Sequence, residues 1–407
     1  MKGQASIPQL KLETLNKVIR AVEPMPNQFF STLFSTSKAD SDTIKWEVEY
    51  GSAGMTPFVA PGSVSPSIGL DGVGEGSAKV AFFKEKMYFD EEFLNNLRQL
   101  GTYATYETAQ IKLARGLRKL RYRMERRREW MISQALINGT FSYVSKGETK
   151  VSVSYGVPTS HIVTLAADRK WSDGDNRNVI EDVMTGKQVL AEDAGVTPNY
   201  AMLNSNLLKL LVLDSGIQSL LEKSKFGNGD LFARPAEVIG ALLNTPLKVY
   251  DELYEVQGWL MSTITGGSST TFTVDDPSDF EVGGTARAIN MKAYREWEDR
   301  VITAVNKTSG QITVASAYTK SYVAGQDKIV MRKKFIDDDT FFMMATTSGT
   351  GEPIAEILES PYGMGRRWGY YVDKKFEWDP EGVWIRNQDK CLPVIYHPDT
   401  TYKLKVR

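Results

Sequence analysis

The sequence predicts an α+β protein made of several parts, with one long helix and many short strands. Apolar residues recur at steps of three and four over residues 90–137, which is the pattern of a helix. Helical and strand-like segments alternate over residues 168–255, and short alternating strands follow over residues 256–334. The 407 residues are enough for two or three domains, and 42% hydrophobic with 24% charged residues excludes general disorder.

The composition also excludes several classes of function. A net charge of −1 is unlike that of a dedicated nucleic-acid binder, which carries a basic excess. The first twenty residues lack the apolar core of a signal peptide, and no apolar stretch approaches the roughly 20 residues that span a bilayer. The sequence therefore predicts a soluble protein without a membrane partner.

Few residues are available for catalysis or metal binding. Cys391 is the single cysteine, so no disulfide and no CxxC metal pattern can form. The two histidines, His161 and His397, are predicted to be structural, and neither a GxSxG elbow, a P-loop nor an HExxH motif is present. The run 337–339 consists of three aspartates that could bind a hard cation, but neighbouring side chains point in different directions, which favours a solvated turn. We therefore expect no enzyme activity, no catalytic residue, no cofactor and no metal.

Residues 1–46 are predicted to form an N-terminal arm. One face of a short helix could be lined by Leu10, Leu12, Leu15, Val18 and Ile19. Pro24 and Pro26 would end that helix. The apolar cluster at residues 29–34 would either pack on the protein's own core or dock on a neighbouring subunit.

Residues 47–89 are predicted to form an extended loop. Its middle is rich in Gly, Ser and Pro, and strand-like pieces at 44–50 and 80–89 flank it, which together suggests a long two-stranded excursion with a wide tip. Ordering such a tip costs roughly 1–2 kcal/mol per residue in backbone entropy, so a neighbouring molecule would have to order it. The alternative is a disordered surface loop. The candidate intersubunit contacts here are Phe58 in the tip and Lys84 and Lys86 on the second strand.

Residues 90–137 are predicted to form one long helix that ends at Gly139, with a bend or interruption at Gly101 or Gly116. Its second half is strongly basic. The candidate intersubunit contacts in it are Arg118, Arg121, Arg126, Arg127 and Arg128. The alternatives are ion pairs within the chain, contact with DNA phosphates, and a solvated face.

The rest of the chain is predicted to begin with a hairpin at 140–155 and a strand at 161–165, which complete a peripheral domain over residues 90–167. Helices at 179–194, 207–213, 216–223 and 235–243 with strands at 199–203 and 247–250 indicate a sheet covered by helices over residues 168–255. Residues 256–334 predict a small inserted all-β barrel or sandwich. Residues 335–407 would then complete the α/β domain with terminal strands.

The order of these parts resembles that of the lambda-type major capsid proteins of tailed phages. Three stretches carry the resemblance: WSDGDNRNVIEDVMTGKQVL at 171–190, FIDDDTFFMMA at 335–345 and LPVIYHPDTTYKLKV at 392–406. The resemblance covers most of the chain outside residues 256–334. It implies the Hong Kong 97-like capsid fold, with an N-terminal arm, an extended loop, a peripheral domain with a spine helix, and an axial domain.

The same resemblance implies a function and a set of partners. The chain would assemble as hexamers and pentamers into an icosahedral head in the host cytoplasm and become part of the virion. Its partners would be copies of itself, scaffold, portal and decoration proteins, and double-stranded DNA on the inner face without sequence specificity. The alternatives are another phage structural protein of the tail or decoration type with a binding β-domain, and a soluble enzyme with an unrecognised site.

Overall fold

The computed structural model describes residues 8–49, 55–56, 58–59, 64, 74–98, 103–145, 148–173, 177–223, 228–293 and 296–407. The chain divides into two units, each assembled from three stretches of sequence. Unit 1 consists of Met1–Val48, Val73–Ser133 and Ala355–Tyr396, and unit 2 consists of Glu49–Gly72, Gln134–Ile354 and His397–Arg407.

The α-helices and strands follow one another in a mixed order. The helices are α1 (Leu12–Ala21), α2 (Phe30–Leu33), α3 (Glu91–Arg98), α4 (Tyr103–Asn138), α5 (Val179–Asp193), α6 (Ser205–Val212), α7 (Ser215–Glu222), α8 (Asn228–Ala233) and α9 (Pro235–Leu242). The strands are β1 (Thr36–Lys38), β2 (Thr43–Val48), β3 (Gly74–Lys79), β4 (Ala81–Asp90), β5 (Thr140–Ser145), β6 (Glu148–Ser154), β7 (Ile162–Thr164), β8 (Tyr200–Leu203), β9 (Leu247–Val249), β10 (Leu253–Trp259), β11 (Thr271–Thr273), β12 (Thr285–Ile289), β13 (Trp297–Asn306), β14 (Gln311–Val314), β15 (Lys328–Lys334), β16 (Thr340–Met344), β17 (Ala355–Glu359), β18 (Tyr371–Trp378), β19 (Glu381–Ile395) and β20 (Thr401–Lys405). Over the described part of the chain, no helix combines the length and apolarity that a membrane span requires.

The core of unit 1 is a sheet organised around β19. Strand β4 runs antiparallel along one side of β19, and β18 followed by β17 runs antiparallel along the other. Strand β1 adds to the far edge of β17 in parallel. The buried face of this sheet, which includes Val372, Val383 and Ile385, packs in one apolar cluster with residues of α1, α3 and α4.

The described part of the N-terminal segment packs on unit 1. Leu15 and Ile19 of α1 are buried, whereas Leu12 is 40% exposed, so the predicted helix forms but Leu12 lies off its buried face. The Asn16 side chain donates to the Val372 carbonyl and accepts from the Val372 N–H, both at 2.9 Å, which fixes α1 to β18. Phe30 and Phe34 are buried as well, so for these two side chains the predicted own-core alternative holds.

The region predicted as one long helix over 90–137 contains α3 and α4, and residues 99–102, with the predicted interruption site Gly101, lie outside the described part. Helix α4 has 36 residues, about 54 Å at 1.5 Å per residue. It continues through Gly116, where a Cβ atom would meet Phe89 Cζ at 2.9 Å, so this glycine permits close approach of β4 rather than a bend. The helix ends at Asn138, and Gly139 follows with a φ of +64°, as predicted for the stop.

The prediction that the strands at 44–50 and 80–89 pair with each other is also wrong. Strand β2 pairs antiparallel with β3, from Thr43 opposite Lys79 to Val48 opposite Gly74. Strand β4 instead pairs with β19 over ten residues. The sequence suggests that Gly74–Lys79 is part of the tip, but this segment forms an extended strand next to β2. The reason is that Gly76 leaves room for the ring of Trp46, which occupies the space where a Cβ atom would lie.

Unit 2 contains a five-stranded sheet in the order β7-β20-β16-β8-β9. The two outer pairs, β7 with β20 and β8 with β9, are parallel, and the central strand β16 is antiparallel to both neighbours. Helices α5, α6, α7 and α9 contribute buried residues to one cluster with this sheet. The predicted sheet covered by helices is therefore confirmed, and α8 is an additional helix.

Residues 253–334 of unit 2 form a six-stranded sheet in the order β10-β15-β12-β13-β14-β11. All neighbouring pairs are antiparallel, and the flanking strands β10 and β15 pair with each other from Leu253 opposite Lys334 to Trp259 opposite Lys328. An apolar cluster that includes Phe272, Phe280 and Tyr318 lies within this segment. The short strands that the sequence predicts between 256 and 334 are thus present.

The hairpin β5-β6 after α4 confirms the predicted hairpin.

Two glycines of unit 2 give a first testable prediction. At Gly139 an added Cβ would lie 2.6 Å from Val157 Cγ2, whereas at Gly195, which has a similar φ of +66°, it would meet nothing within 4 Å. We expect Gly195→Ala to cost about 1–2 kcal/mol of unfolding free energy from backbone strain alone. Gly139→Ala adds about 1–3 kcal/mol of overpacking to that strain. Denaturant unfolding of both variants measures the difference, and equal losses would contradict this account.

Candidate intersubunit surfaces

The described residues of the extended loop between β2 and β3 expose apolar side chains. Phe58 is 104% exposed, and Met55 and Val64 are each 91% exposed. The rest of the predicted loop tip, at 50–54, 57, 60–63 and 65–73, lies outside the described residues. Several large apolar groups in full contact with water on one short segment are unusual on a finished surface and mark a site of interaction.

The two lysines predicted as contacts on the loop lie on β4 instead, inside the sheet of unit 1. Lys84 is opposite Gln388 of β19 and Lys86 is opposite Arg386. The Lys86 ammonium lies 4.0 Å from the centre of the Trp384 ring, and that of Lys84 lies 5.6 Å from the ring of Phe82. Both side chains are exposed, so each keeps a charged end on the surface.

Part of the basic charge of α4 is neutralised within unit 1. Arg121 Nε lies 2.5 Å from Glu125 Oε1, and its guanidinium stacks 3.7 Å from the ring centre of Tyr370. Arg123 Nε lies 2.5 Å from Glu85 Oε2 on β4. For Arg121 and Arg123, these contacts agree with the alternative in which the basic residues of the helix form ion pairs within the chain.

Arg128 is the most enclosed of the predicted contacts. Its guanidinium donates to both carboxylate oxygens of Asp389, at 2.6 and 2.8 Å, and to Glu359 Oε1 at 2.6 Å. Burial by itself would lower the pKa of Arg128, but the charge of the fully buried Asp389 raises that pKa well above its usual value. Cys391 is buried next to this group, as predicted, and burial raises the pKa of its thiol. The arrangement joins α4 to β17 and β19 with an ion pair that water does not screen.

Two glutamates of α4 hold the N-terminal segment, a role that the sequence analysis does not predict. The buried Glu129 carboxylate accepts from the backbone N–H groups of Phe29, Phe30 and Ser31, at 3.0, 2.9 and 2.8 Å. Glu125 accepts from the N–H of Met25 at 2.8 Å. The Glu129 carboxylate at the start of α2 accepts hydrogen bonds from N–H groups that have no acceptor within the helix itself.

A different face of α4 remains exposed and basic. It consists of Lys112, Arg115, Arg118 and Lys119, in which Arg115 follows Lys112 by three positions and precedes Arg118 by three and Lys119 by four. We call these four residues the basic face. Among the described residues Arg118 has no carboxylate within ion-pairing distance, and Arg126 and Arg127 are half-buried. Arg127 lies 5.0 Å from the ring centre of Trp130.

His161 and two aspartates of the run 337–339 have partners within the chain. His161 is buried, with Nδ1 2.8 Å from the Thr401 carbonyl and Nε2 2.9 Å from Asp193 Oδ2. The carboxylates of the aspartate run diverge as predicted: that of Asp338 lies 2.7 Å from Lys334 Nζ, and that of Asp339 lies 3.1 Å from Lys405 Nζ. Burial raises the pKa of Asp337, the third member.

Comparison with known proteins gives the context for these surfaces. Residues 11–240 match the model of the family described as phage major capsid protein E. No curated protein sequence matches the chain. Among solved structures, a prophage protein of Escherichia coli CFT073 that is assigned as a capsid protein covers 98% of this chain and 99% of its own, with 14% identity and a TM-score of 0.54.

Two further structures are similar at a lower level. A phage-related protein of Bordetella bronchiseptica RB50 covers 97% of this chain and 96% of its own, with 11% identity and a TM-score of 0.49. The mature capsid of bacteriophage PhiM1 covers 94% of this chain and 88% of its own, with 11% identity and a TM-score of 0.41.

The family match includes more than half of the chain and the E. coli neighbour shares its fold over nearly the full length. The matched family is a structural capsid family, which favours the shell reading over a tail protein or an enzyme. The fold is a mixed α+β fold that is shared with the E. coli prophage protein. The chain therefore belongs to the phage major capsid protein E family and is a subunit of an icosahedral phage head shell.

Proposed function

We propose that this subunit assembles as hexamers and pentamers in the host cytoplasm into a head that encloses double-stranded DNA, which its inner face contacts without sequence specificity. The exposure of Met55, Phe58 and Val64 is the observation that carries the proposal. Apolar side chains that water surrounds in the single chain become buried when the loop lies on a neighbouring subunit. In a closed symmetric shell the same contact repeats at every subunit, so a small gain per contact is multiplied.

The proposal divides the chain into regions of different roles. Residues 1–46 form the N-terminal arm, 47–89 the extended loop, 90–167 the peripheral domain, and 168–255 with 335–407 the axial domain. Residues 256–334 form an inserted β-domain, which is supported by the pairing of β10 with β15 at its two ends and by an apolar cluster of its own. Scaffold, portal and decoration proteins are the further partners.

The basic face of α4 supports contact between subunits rather than sequence-independent DNA binding alone. The chain as a whole has a net charge of −1, so the cations of this face can meet acidic surfaces of other copies. Like the other members of the basic face, Arg118 pairs with no described carboxylate of its own chain, so its charge can pair with a carboxylate of a neighbouring copy.

The test of the loop contact is a pair of substitutions at Phe58. We expect Phe58→Ser to leave the unfolding free energy within about 0.5 kcal/mol, because the side chain is exposed in the single chain. The same change should lower the yield of shells strongly, because an apolar side chain that becomes buried contributes about 1.5–3 kcal/mol per contact. Phe58→Leu is the matched control, since it keeps an apolar side chain and should keep most of the yield.

Shell yield is measured by sedimentation and electron microscopy of the assembled material. Equal yields for wild type, Phe58→Ser and Phe58→Leu would contradict the loop contact.

A further inference from the structure

Unit 2 contains a histidine whose surroundings are unlike those of His161. The His397 side chain is 7% exposed, and within the described residues its ring makes no hydrogen bond. Its nearest polar partner is Glu352 Oε2, which lies 3.8 Å from Nε2 and thus beyond hydrogen-bonding distance. A ring nitrogen that has no hydrogen-bond partner in the protein can bind water or a metal ion.

Two carboxylates face the same space as this ring. One ligand atom each from Glu49, Glu352 and His397 lies within 4.8 Å of the other two. Neither carboxylate is a partner in a described salt bridge other than the contact between Glu352 and His397. Both glutamate side chains are exposed, so a rotation of each can shorten these separations to those of a shared ion.

The backbone already holds two of these residues in position. The N–H of His397 donates to the carbonyl of Ile354 at 3.4 Å, and the Thr400 hydroxyl donates to the His397 carbonyl at 2.7 Å. Glu352 ends a tight turn in which its N–H donates to Ser348 Oγ at 3.2 Å and its carbonyl accepts from the Ser348 N–H at 2.8 Å. Fixed backbones next to a binding space reduce the entropy that an ion must overcome on binding.

We infer that Glu49, Glu352 and His397 form a binding site for a divalent transition-metal ion of the zinc type. One imidazole nitrogen with two carboxylates is a ligand set that Zn²⁺ accepts at about 2.0–2.2 Å, whereas Mg²⁺ and Ca²⁺ prefer oxygen ligands alone. Water completes the coordination of such a three-residue site.

The position of the three ligands in the sequence gives the site a structural consequence. Unit 2 is assembled from Glu49–Gly72, Gln134–Ile354 and His397–Arg407, and each stretch supplies one ligand. A bound ion would therefore link all three stretches of the unit. Because a ligand that binds only the folded state stabilises it by mass action, zinc should raise the melting temperature of the unassembled chain.

The experiment uses the untagged full-length chain, stripped with a chelator and kept unassembled. Zinc uptake is measured by equilibrium dialysis and elemental analysis, and the melting temperature is recorded with Zn²⁺ and with Mg²⁺. We expect uptake of one zinc ion per chain and a rise of the melting temperature with Zn²⁺ that Mg²⁺ does not reproduce. Glu352→Gln and Glu49→Gln should each weaken zinc binding by at least about tenfold, since each removes a charged ligand.

Two controls make the result specific. Glu47→Gln changes an exposed glutamate of β2 two residues before Glu49 and should bind zinc like the wild type. His397→Ala should abolish zinc binding. Should that variant fail to fold, the visible absorption of bound Co²⁺ in Glu352→Gln and Glu49→Gln tests the site in its place. His161 cannot supply the signal, because both of its ring nitrogens are already engaged.

The inference is overturned if the wild-type chain takes up no zinc, which would mean that water satisfies the ring of His397. It is also overturned if Glu352→Gln and Glu49→Gln bind zinc as the wild type does. Since all measurements use the unassembled chain, neither result depends on the proposed assembly contacts.

Discussion

Replacing residues 52–71 with a short glycine-serine turn is expected to abolish shell formation while the chain still folds. Val48 lies opposite Gly74 in the β2-β3 ladder, and paired residues in such a ladder have Cα atoms about 5 Å apart, so a short turn can close the gap. The replaced stretch contains the exposed Met55, Phe58 and Val64, whose burial on a neighbour is the proposed driving force. All of these contacts are removed at every subunit at once, so the expected effect is larger than that of any single substitution.

The limits of the replacement follow from the structure. A deletion that continued to residue 78 would remove β3 and leave β2 without its partner. Circular dichroism and the denaturation midpoint test the fold, and sedimentation with electron microscopy tests assembly. Normal shells from the shortened chain would show that the extended loop is not an assembly contact.

Substitution of Arg128 by Ala is expected to give the largest loss of stability for a polar residue of unit 1. The change leaves the carboxylate of Asp389 fully buried without its bidentate partner, and it removes the bond to Glu359. Breaking one member of a buried ion pair costs about 3–5 kcal/mol, because the remaining charge is not compensated. Denaturant unfolding should show this loss as a lower midpoint.

The matched control is Arg118→Ala on the exposed basic face of the same helix. Because Arg118 has no described ion-pair partner, we expect a change within about 0.5 kcal/mol. Asp389→Asn in the Arg128→Ala background should restore part of the stability, since it removes the orphaned charge. A loss below about 1 kcal/mol for Arg128→Ala would contradict the buried network.

The sequence predicts those parts of the fold that local pattern determines. The end of α4 follows from Gly139, whose left-handed backbone suits a glycine. The hairpin after it follows from alternating residues, and α5 follows from its apolar spacing. Each of these signals lies within a few residues of the feature that it determines.

Contacts between distant segments are where prediction from the sequence fails. Asp389 is 261 residues from Arg128, and the charge run of α4 contains nothing that distinguishes Arg128, which is buried, from Arg118, which is exposed. Arg128 is buried because it lies on the side of α4 that contacts β19. The pairing of β4 with β19, and not with β2, is also a contact between distant segments. Ten residues of β4 pair with β19, and most residues of β19 are buried. The metal-binding residues proposed in unit 2 come from three separate stretches and give no motif.

The most direct test of the shell assignment is electron microscopy of particles formed when this chain is produced together with the neighbouring head genes of its phage. The account predicts closed icosahedral shells in which this chain is the main protein, built from hexameric and pentameric clusters. Shells that form without this chain, or particles in which it is only a minor component, would contradict the assignment.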